Sequence, residues 1–316
     1  MKGNSSMRDE VIDLLALCRI KNLSWYLLAR EARRPDGLGR LFRAEFTEQT
    51  TETAKARTAI RDARRSLDDL RQQARAELES AAADEISITT VLDDDYPLNL
   101  RTIFNLPPFL FYRGRLSAEQ DALSVAVVGT REASGEGLMR AKKMARMLSS
   151  HGITVLSGLA RGIDTQAHLA TLEAGGRTVG VLGSGLRQIY PPENRPLAEQ
   201  IAATGALVSQ FWLDSRPTSY SFPRRNVTMS GMGQGTVVIE ASRTSGAKMQ
   251  ARLAIEHGKK VFLLHHLVTQ QAWAKKYLER PGVTEVQNVE DIIKRLDDVE
   301  RIRARSKQAQ QLSLTL

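Results

Sequence analysis

The stretch from Ser157 to His168, SGLARGIDTQAH, gathers a serine, an arginine, an aspartate and a histidine between a hydrophobic run and a helical pattern. Two chemistries fit those residue types. Asp164 and His168 stand four residues apart and so share one helical face, the spacing of an acid–histidine dyad. Hydrolysis also needs a nucleophile or paired carboxylates, and neither a cysteine nor a second acid accompanies them. The other chemistry is anion binding. Ser157, Gly158 and Gly162 permit a tight turn whose backbone approaches a ligand, and Arg161 can direct positive charge into it. Asp164 then caps the following helix and His168 is a histidine bonded inside the fold.

Three more segments carry comparable residues. In GTREASGEG, Gly129 to Gly137, Gly129 and Thr130 precede Arg131, and Ser134 is positioned to cap the next helix. In GSGLRQIYPPENR, Gly183 and Gly185 begin a long connection in which Tyr190 either stacks on a base or packs down as part of a proline-braced turn; Asn194 and Arg195 reach the next helix start. The longest runs from Ser221 to Met249. There Phe222 stands beside Arg224, Arg225 and Asn226, joining a stacking surface to phosphate donors, while Ser245, Gly246 and Lys248 sit at another helix start. Nothing matches GxGxxG or GxxxxGKS/T, so nucleotide loops of those kinds are not indicated. The single cysteine, Cys18, offers no Cys/His spacing for zinc, and no metal or cofactor is expected.

These loops require a scaffold that brings them together. After Ser124, β-branched runs alternate with helical patterns: VAVVG before GLMRAKKMARMLSSHG, ITVLSG before TQAHLATLEAGG, TVGVLGSG before RPLAEQIAATG, TVVIEA before GAKMQARLAIEHG, KVFLL before QAWAKKYLER. The alternation predicts an α/β fold, a Rossmann-like mostly parallel sheet with helices on both faces. Ligands in such sheets bind beyond the carboxyl ends of the strands, where all four segments fall. Residues 85–297 form this domain, with ISITTVL as a strand and PPFLFYRG as a proline-flanked edge segment. Residues 1–84 predict an all-helical N-terminal domain: three short amphipathic pieces, then one long polar helix from Thr51 to about Ala83. Residues 298–316 read as a basic tail, the frayed end of the last helix.

With 316 residues, 42% of them hydrophobic, the chain can bury one sizeable core and a smaller appended domain. Its net charge of +9 favours a polyanionic partner, and Ser221 to Lys260 alone holds seven Lys/Arg against two acids. One cysteine means no disulfide framework and suits a reducing cytoplasm. No apolar run reaches the roughly 18 residues of a membrane span, and the first residues meet acid before a signal-peptide core forms. Neither export nor membrane insertion is expected.

In this order the motifs resemble the bacterial DNA-processing family DprA, also called Smf. The resemblance covers Glu85 to Leu296 and rests on DDDYPLNLR with PPFLFYRG, VAVVGTREAS, VLSGLARGIDTQAH, VGVLGSGLRQIYPPEN, FPRRN and VVIEASRTSGA. It implies a dimeric Rossmann-like protein that binds single-stranded DNA, hands the strand to RecA and catalyses no reaction. It places Gly129, Thr130, Arg131, Ser134, Arg224, Arg225 and Asn226 at the DNA. The chain departs from the family in several places. Val227 stands where the family has a basic residue, and SGMG replaces SGLS. The segment His265 to Gly282 lacks the usual proline–glycine turn and asparagine loop. The N-terminal helices lack the glycines of a helix-hairpin-helix, and no winged helix fits after Leu296.

Two further readings remain open at this level. One is a divergent paralogue serving in phage defence or on a mobile element and sensing DNA or a nucleotide. The other is enzymatic: GMGQGTVVIE is similar to the GGxGTxxE signature of lysine-decarboxylase-like phosphoribohydrolases, with Gly233, Gly235 and Thr236 holding phosphate and Glu240 in catalysis.

Overall fold

Val-, Ile- and Leu-rich runs too short for helices form strands, because β-branched side chains suit a pleated surface covered on both faces. The computed structural model describes residues 3–315. Five helices come first: α1 Gly3–Cys18, α2 Trp25–Ala32, α3 Gly37–Phe42, α4 Thr51–Ala63 and α5 Leu67–Ala83. Strands β1 Ile86–Thr90, β2 Phe109–Gly114 and β3 Ser124–Val128 follow, then α6 Gly135–Ser150, β4 Thr154–Ser157, α7 Ile163–Glu173, β5 Thr178–Val181, α8 Arg195–Thr204 and β6 Ala206–Ser209. The chain continues through α9 Ser221–Met232, β7 Gly235–Val238, α10 Gly246–Glu256, β8 Lys260–Leu264, α11 His265–Gln270 and α12 Ala272–Tyr277. It ends with β9 Val283–Val286, α13 Glu290–Ile293 and α14 Val299–Thr315.

All nine strands among the described residues join one sheet in the order β1-β2-β6-β5-β4-β3-β7-β8-β9. The pairings of β2 with β1 and β6 are antiparallel, and the rest are parallel. This is the Rossmann-like α/β fold that the strand–helix alternation predicts. Alternate residues of β3 serve opposite faces: Val125 and Val127 pack with Leu148, Ile163 and Ala167, whereas Ala126 and Val128 join the cluster on the other side. The chain leaves β3 through α6 toward β4 and leaves β7 through α10 toward β8, in opposite directions from neighbouring strands. A crevice therefore opens between the carboxyl ends of β3 and β7.

The N-terminal helices share a hydrophobic core with the sheet. Leu14, Leu15, Leu28 and Ile60 lie in the same buried cluster as Phe109 and Phe111 of β2. The Trp25 ring sits 5.1 Å from Phe109 and 5.9 Å from Trp212. Arg71 on α5 donates to Asp13 of α1 at 2.7 Å, tying the helical layer together.

Local expectations are corrected in four places. The helix expected from Thr51 to Ala83 breaks at a 3-10 turn, Arg64–Ser66, where no side chain is buried and the Ser66 hydroxyl donates back to the Ala63 carbonyl. PPFLFYRG is no edge: β2 lies between β1 and β6, because Pro107 and Pro108 precede the strand and remove none of its own ladder donors. The helix expected after β8 begins at once at His265, ahead of QAWAKKYLER. The frayed tail is instead α14, whose Ile302 and Ser306, four residues apart, are buried against the body of the protein. Among the described residues no helix is long and apolar enough to cross a membrane.

A shared core predicts a shared transition. Leu28→Ala, at a fully buried position of α2, should cost about 2–5 kcal/mol. In urea denaturation the near-UV signal of Trp212 and the far-UV helix signal should shift together; separate transitions would show that the helical layer unfolds on its own.

Candidate nucleic-acid interface

At the crevice between β3 and β7 lies a cleft of about 410 Å³, walled by Gly129 to Glu132, Phe222, Arg225 and the start of α10. Its floor is made by the β4–α7 turn. Gly162 takes φ +73°, and a β-carbon there would lie 2.5 Å from the Thr130 carbonyl oxygen, so only glycine lets the two loops meet. Leu159, also at positive φ, is held by Asn194, whose Nδ2 donates to the Leu159 carbonyl and to Thr165 Oγ1, both at 2.8 Å. Ser157 Oγ donates to the Val127 carbonyl at 2.7 Å and joins β4 to β3. Asn194 and Ser157 thus build the turn from inside, both buried.

Arg225 is buried under this turn. Its Nη1 donates to the Val181 carbonyl at 3.0 Å, and the guanidinium lies against Gly158, where an added β-carbon would be 1.6 Å from Nη1. Asp164 is the compensating charge. Burial pushes its carboxyl above the usual range, while Arg225 and the Gly158 N–H, 3.1 Å from Oδ2, oppose that shift. Burial likewise lowers the Arg225 pKa, and Asp164 counteracts it. Arg225 therefore braces the floor from below, where sequence alone places it at the surface as a phosphate ligand.

The acid–histidine dyad does not form. Asp164 is engaged by Gly158 and Arg225, while His168 Nδ1 faces Thr178 Oγ1 at 2.7 Å. The Thr178 hydroxyl donates to the Val155 carbonyl, so Nδ1 of His168 is the donor in their bond. Complete burial lowers the His168 pKa from 6.5 to about 3 and keeps it neutral. Asp164 also sits inside α7, one residue past its start, and the capping position belongs to Gly162.

The start of α6 is already occupied. Ser134 accepts from the Gly137 N–H at 3.0 Å and donates to Glu240 Oε2 at 2.7 Å, while the Ser134 N–H also points at that carboxylate. Glu240 thus supplies the negative charge that the helix terminus favours. The same contact removes it from the enzymatic constellation, since Gly233, Gly235 and Thr236 are buried at the other end of β7.

FPRRN lies in a helix, where a loop was expected. Reciprocal bonds between Thr218 and Ser221 begin α9, and Pro223 falls in its first turn, where its missing N–H costs nothing. Phe222 rests on Gly183, with the Tyr190 ring 6.0 Å away and the Arg131 guanidinium 5.4 Å above its face. Arg131 is exposed, and Tyr190 retains 42% of its surface. Asn226 is buried and lines the cleft, and Val227 faces the core.

Other cations are divided among protein partners. Arg161 pairs with Glu193. Lys248 stands 5.8 Å over Trp273, and Arg224 stands 5.0 Å over Trp25. Sequence reasoning missed Trp25, since nothing near it in the chain signals that α2 reaches α9. Ser245 caps α10 through the Ala247 N–H and, with exposed Gly246, lines the cleft. Arg195 is exposed at the start of α8, and Gly185 turns toward the Trp212–Leu213 backbone, outside the cleft.

Comparisons with known proteins agree with this fold. The family model for DNA recombination-mediator protein A matches residues 87–297. Protein Smf of Synechocystis sp. is 42% identical over 175 residues, a match spanning 54% of the chain and 44% of that relative, so less than half of its length is represented. DNA processing protein DprA of Streptococcus pneumoniae is 35% identical over 195 residues, covering 58% of the chain and 68% of the relative. The X-ray structure of the Streptococcus pneumoniae protein superimposes with a TM-score of 0.65 at 27% identity, covering 91% of this chain and 93% of that one. A Helicobacter pylori DprA structure, described for its single-stranded DNA binding mode, gives 0.59 at 25% identity over 66% and 94% of the two chains.

Two outcomes follow from the floor of the cleft. Gly158→Ala forces the Arg225 guanidinium from its seat and should cost about 1–3 kcal/mol by thermal denaturation; an unchanged Tm would show that Arg225 has other room. His168, at about 3 when folded and 6.5 as a free side chain, binds more protons unfolded between those values. Stability should therefore fall as pH drops from 6.5 to 5, by up to roughly 1.4 kcal/mol per pH unit from this residue. Urea midpoints of the wild type and His168→Gln across that window test it, the variant showing the shallower dependence.

Proposed function

The chain belongs to the DNA recombination-mediator protein A family, and on that premise we propose that its β3–β7 cleft binds single-stranded DNA. The observation that carries the reading is the exposed Arg131 over the Phe222 ring, with Tyr190 beside it, above a buried Arg225. Aromatic faces accept any unstacked base, and cations beside them neutralise the strand that carries those bases. Arg131, Arg224 and Lys248 contact phosphates, Phe222 or Tyr190 stacks a base, and Gly129, Thr130 and Gly246 admit the backbone. Arg225 acts indirectly, by bracing the turn that carries these groups.

In this reading the protein works in the bacterial cytoplasm as a homodimer, protects single strands and assists RecA loading during DNA uptake and recombination. Duplex DNA keeps its base faces stacked and would lose the aromatic contribution, which gives the cleft its preference for single strands. Binding is the proposed activity, without a reaction.

Three phosphate contacts should give a log–log salt slope of about −2, from roughly −0.7 per single-strand phosphate. Fluorescence anisotropy of a labelled oligothymidylate should show Arg131→Ala weakening affinity about tenfold, lowering the slope by roughly 0.7 and acting equally on all sequences. Unchanged affinity and slope would remove Arg131 from the interface.

A further inference from the structure

A second basic cavity lies at the opposite edge of the sheet, at the amino ends of β7 and β8. It measures about 500 Å³, and Lys259, Lys260, Arg305 and His257 line it. Lys259 is 9% exposed, and its Nζ donates to the Asn99 carbonyl and Thr102 Oγ1, both at 3.0 Å. Both acceptors are neutral. Asp297, the single acid of the lining, is already shared by Lys260 at 2.8 Å and Arg305 at 2.6 Å. Among the described residues no ion pair includes Lys259.

If Lys259 served only to fasten the Leu100–Thr102 turn to β8, a neutral donor would do so without burying a charge. Burial, with Arg305 and Lys260 nearby, lowers the Lys259 pKa from 10.5 to about 7, so its charge is disfavoured where it stands. His257 adds a second observation. Its Nδ1 meets Ser230 Oγ at 3.0 Å, but its Nε2 is buried with no hydrogen-bond partner among the described residues. Phe104, 68% exposed, lies edge-on to the His257 ring at 5.6 Å and leaves an aromatic face open beside the basic wall.

We propose that this cavity is an oxyanion site, distinct from the DNA cleft, in which Lys259, Lys260 and Arg305 take a phosphate group. That group comes either from free phosphate or from a nucleotide whose base lies on Phe104. An anion there supplies the counter-charge that Lys259 lacks and relieves the repulsion among the three cations.

Calorimetric titration of the full chain with inorganic phosphate, at constant ionic strength, tests the site. One equivalent should bind; Arg305→Ala should weaken it about tenfold, Lys259→Met should abolish it, and Arg131→Ala should leave it unchanged. Arg305 is largely exposed, so its variant decides the matter should Lys259→Met fail to fold. An Arg305→Ala isotherm identical to wild type, no binding by wild type at roughly 10 mM phosphate, or loss of binding in Arg131→Ala would each overturn the proposal. Thymidine monophosphate distinguishes the two sources. Tighter binding than phosphate, with the gain lost in Phe104→Ala, assigns a nucleotide; equal affinity assigns the free anion.

Discussion

The cleft depends on one buried charge. Arg225 leaves α9, passes beneath Gly158 and ends on the Val181 carbonyl, and the nearby Asp164 carboxylate opposes the cost of its burial. That single side chain couples α9, the β4–α7 turn and the end of β5. A guanidinium in such a place is tolerated only because its carbonyl acceptor and the neighbouring Asp164 carboxylate are fixed. Gly158 has no side chain because the guanidinium takes its space, and Asp164 is inside α7 because the charge it answers lies under the turn.

Fixing Arg225 below the surface changes what the other cations do. A net charge of +9 says little about affinity until its members are sorted by partner. Arg161 is paired with Glu193, whereas Arg131 over Phe222, Arg224 over Trp25 and Lys248 over Trp273 rest on aromatic rings and have no ion pair among the described residues. The carboxylate of Glu240 settles on the α6 terminus, so an incoming anion meets arginine and the α10 start. In the proposed function, selectivity for a flexible strand would rest on the Phe222–Tyr190 aromatic pair, since charge alone attracts duplex as well.

The helical layer takes part in this arrangement. Trp25 of α2 touches Phe109 and Trp212 with its edges and faces, and holds Arg224 on the same ring system. Packing of the N-terminal helices therefore sets the direction of one of the proposed phosphate contacts. At the far edge, α14 brings Arg305 to the cavity around Lys259, so a segment that reads as a solvated tail completes a basic wall.

The sequence by itself determined the alternation of short β-branched runs with helices, and hence the parallel sheet and the edge where its loops gather. Strand period and helix period are local properties, readable within a dozen residues. It also determined which loops carry arginine, glycine and aromatic residues, and the order of motifs that marks the family. Only the tertiary structure decided which of those residues lie open in the cleft and which are buried. Arg131 and Arg225 are the same residue type in neighbouring walls, yet one is open and the other buried. The same holds for Glu240, read as a catalytic acid and found on the Ser134 cap of α6, and for PPFLFYRG, an interior strand whose prolines stand just outside it. Burial and pairing depend on side chains distant in sequence, Asp164 against Arg225 or Trp25 against Arg224, and no local pattern encodes which distant partner a charge will meet.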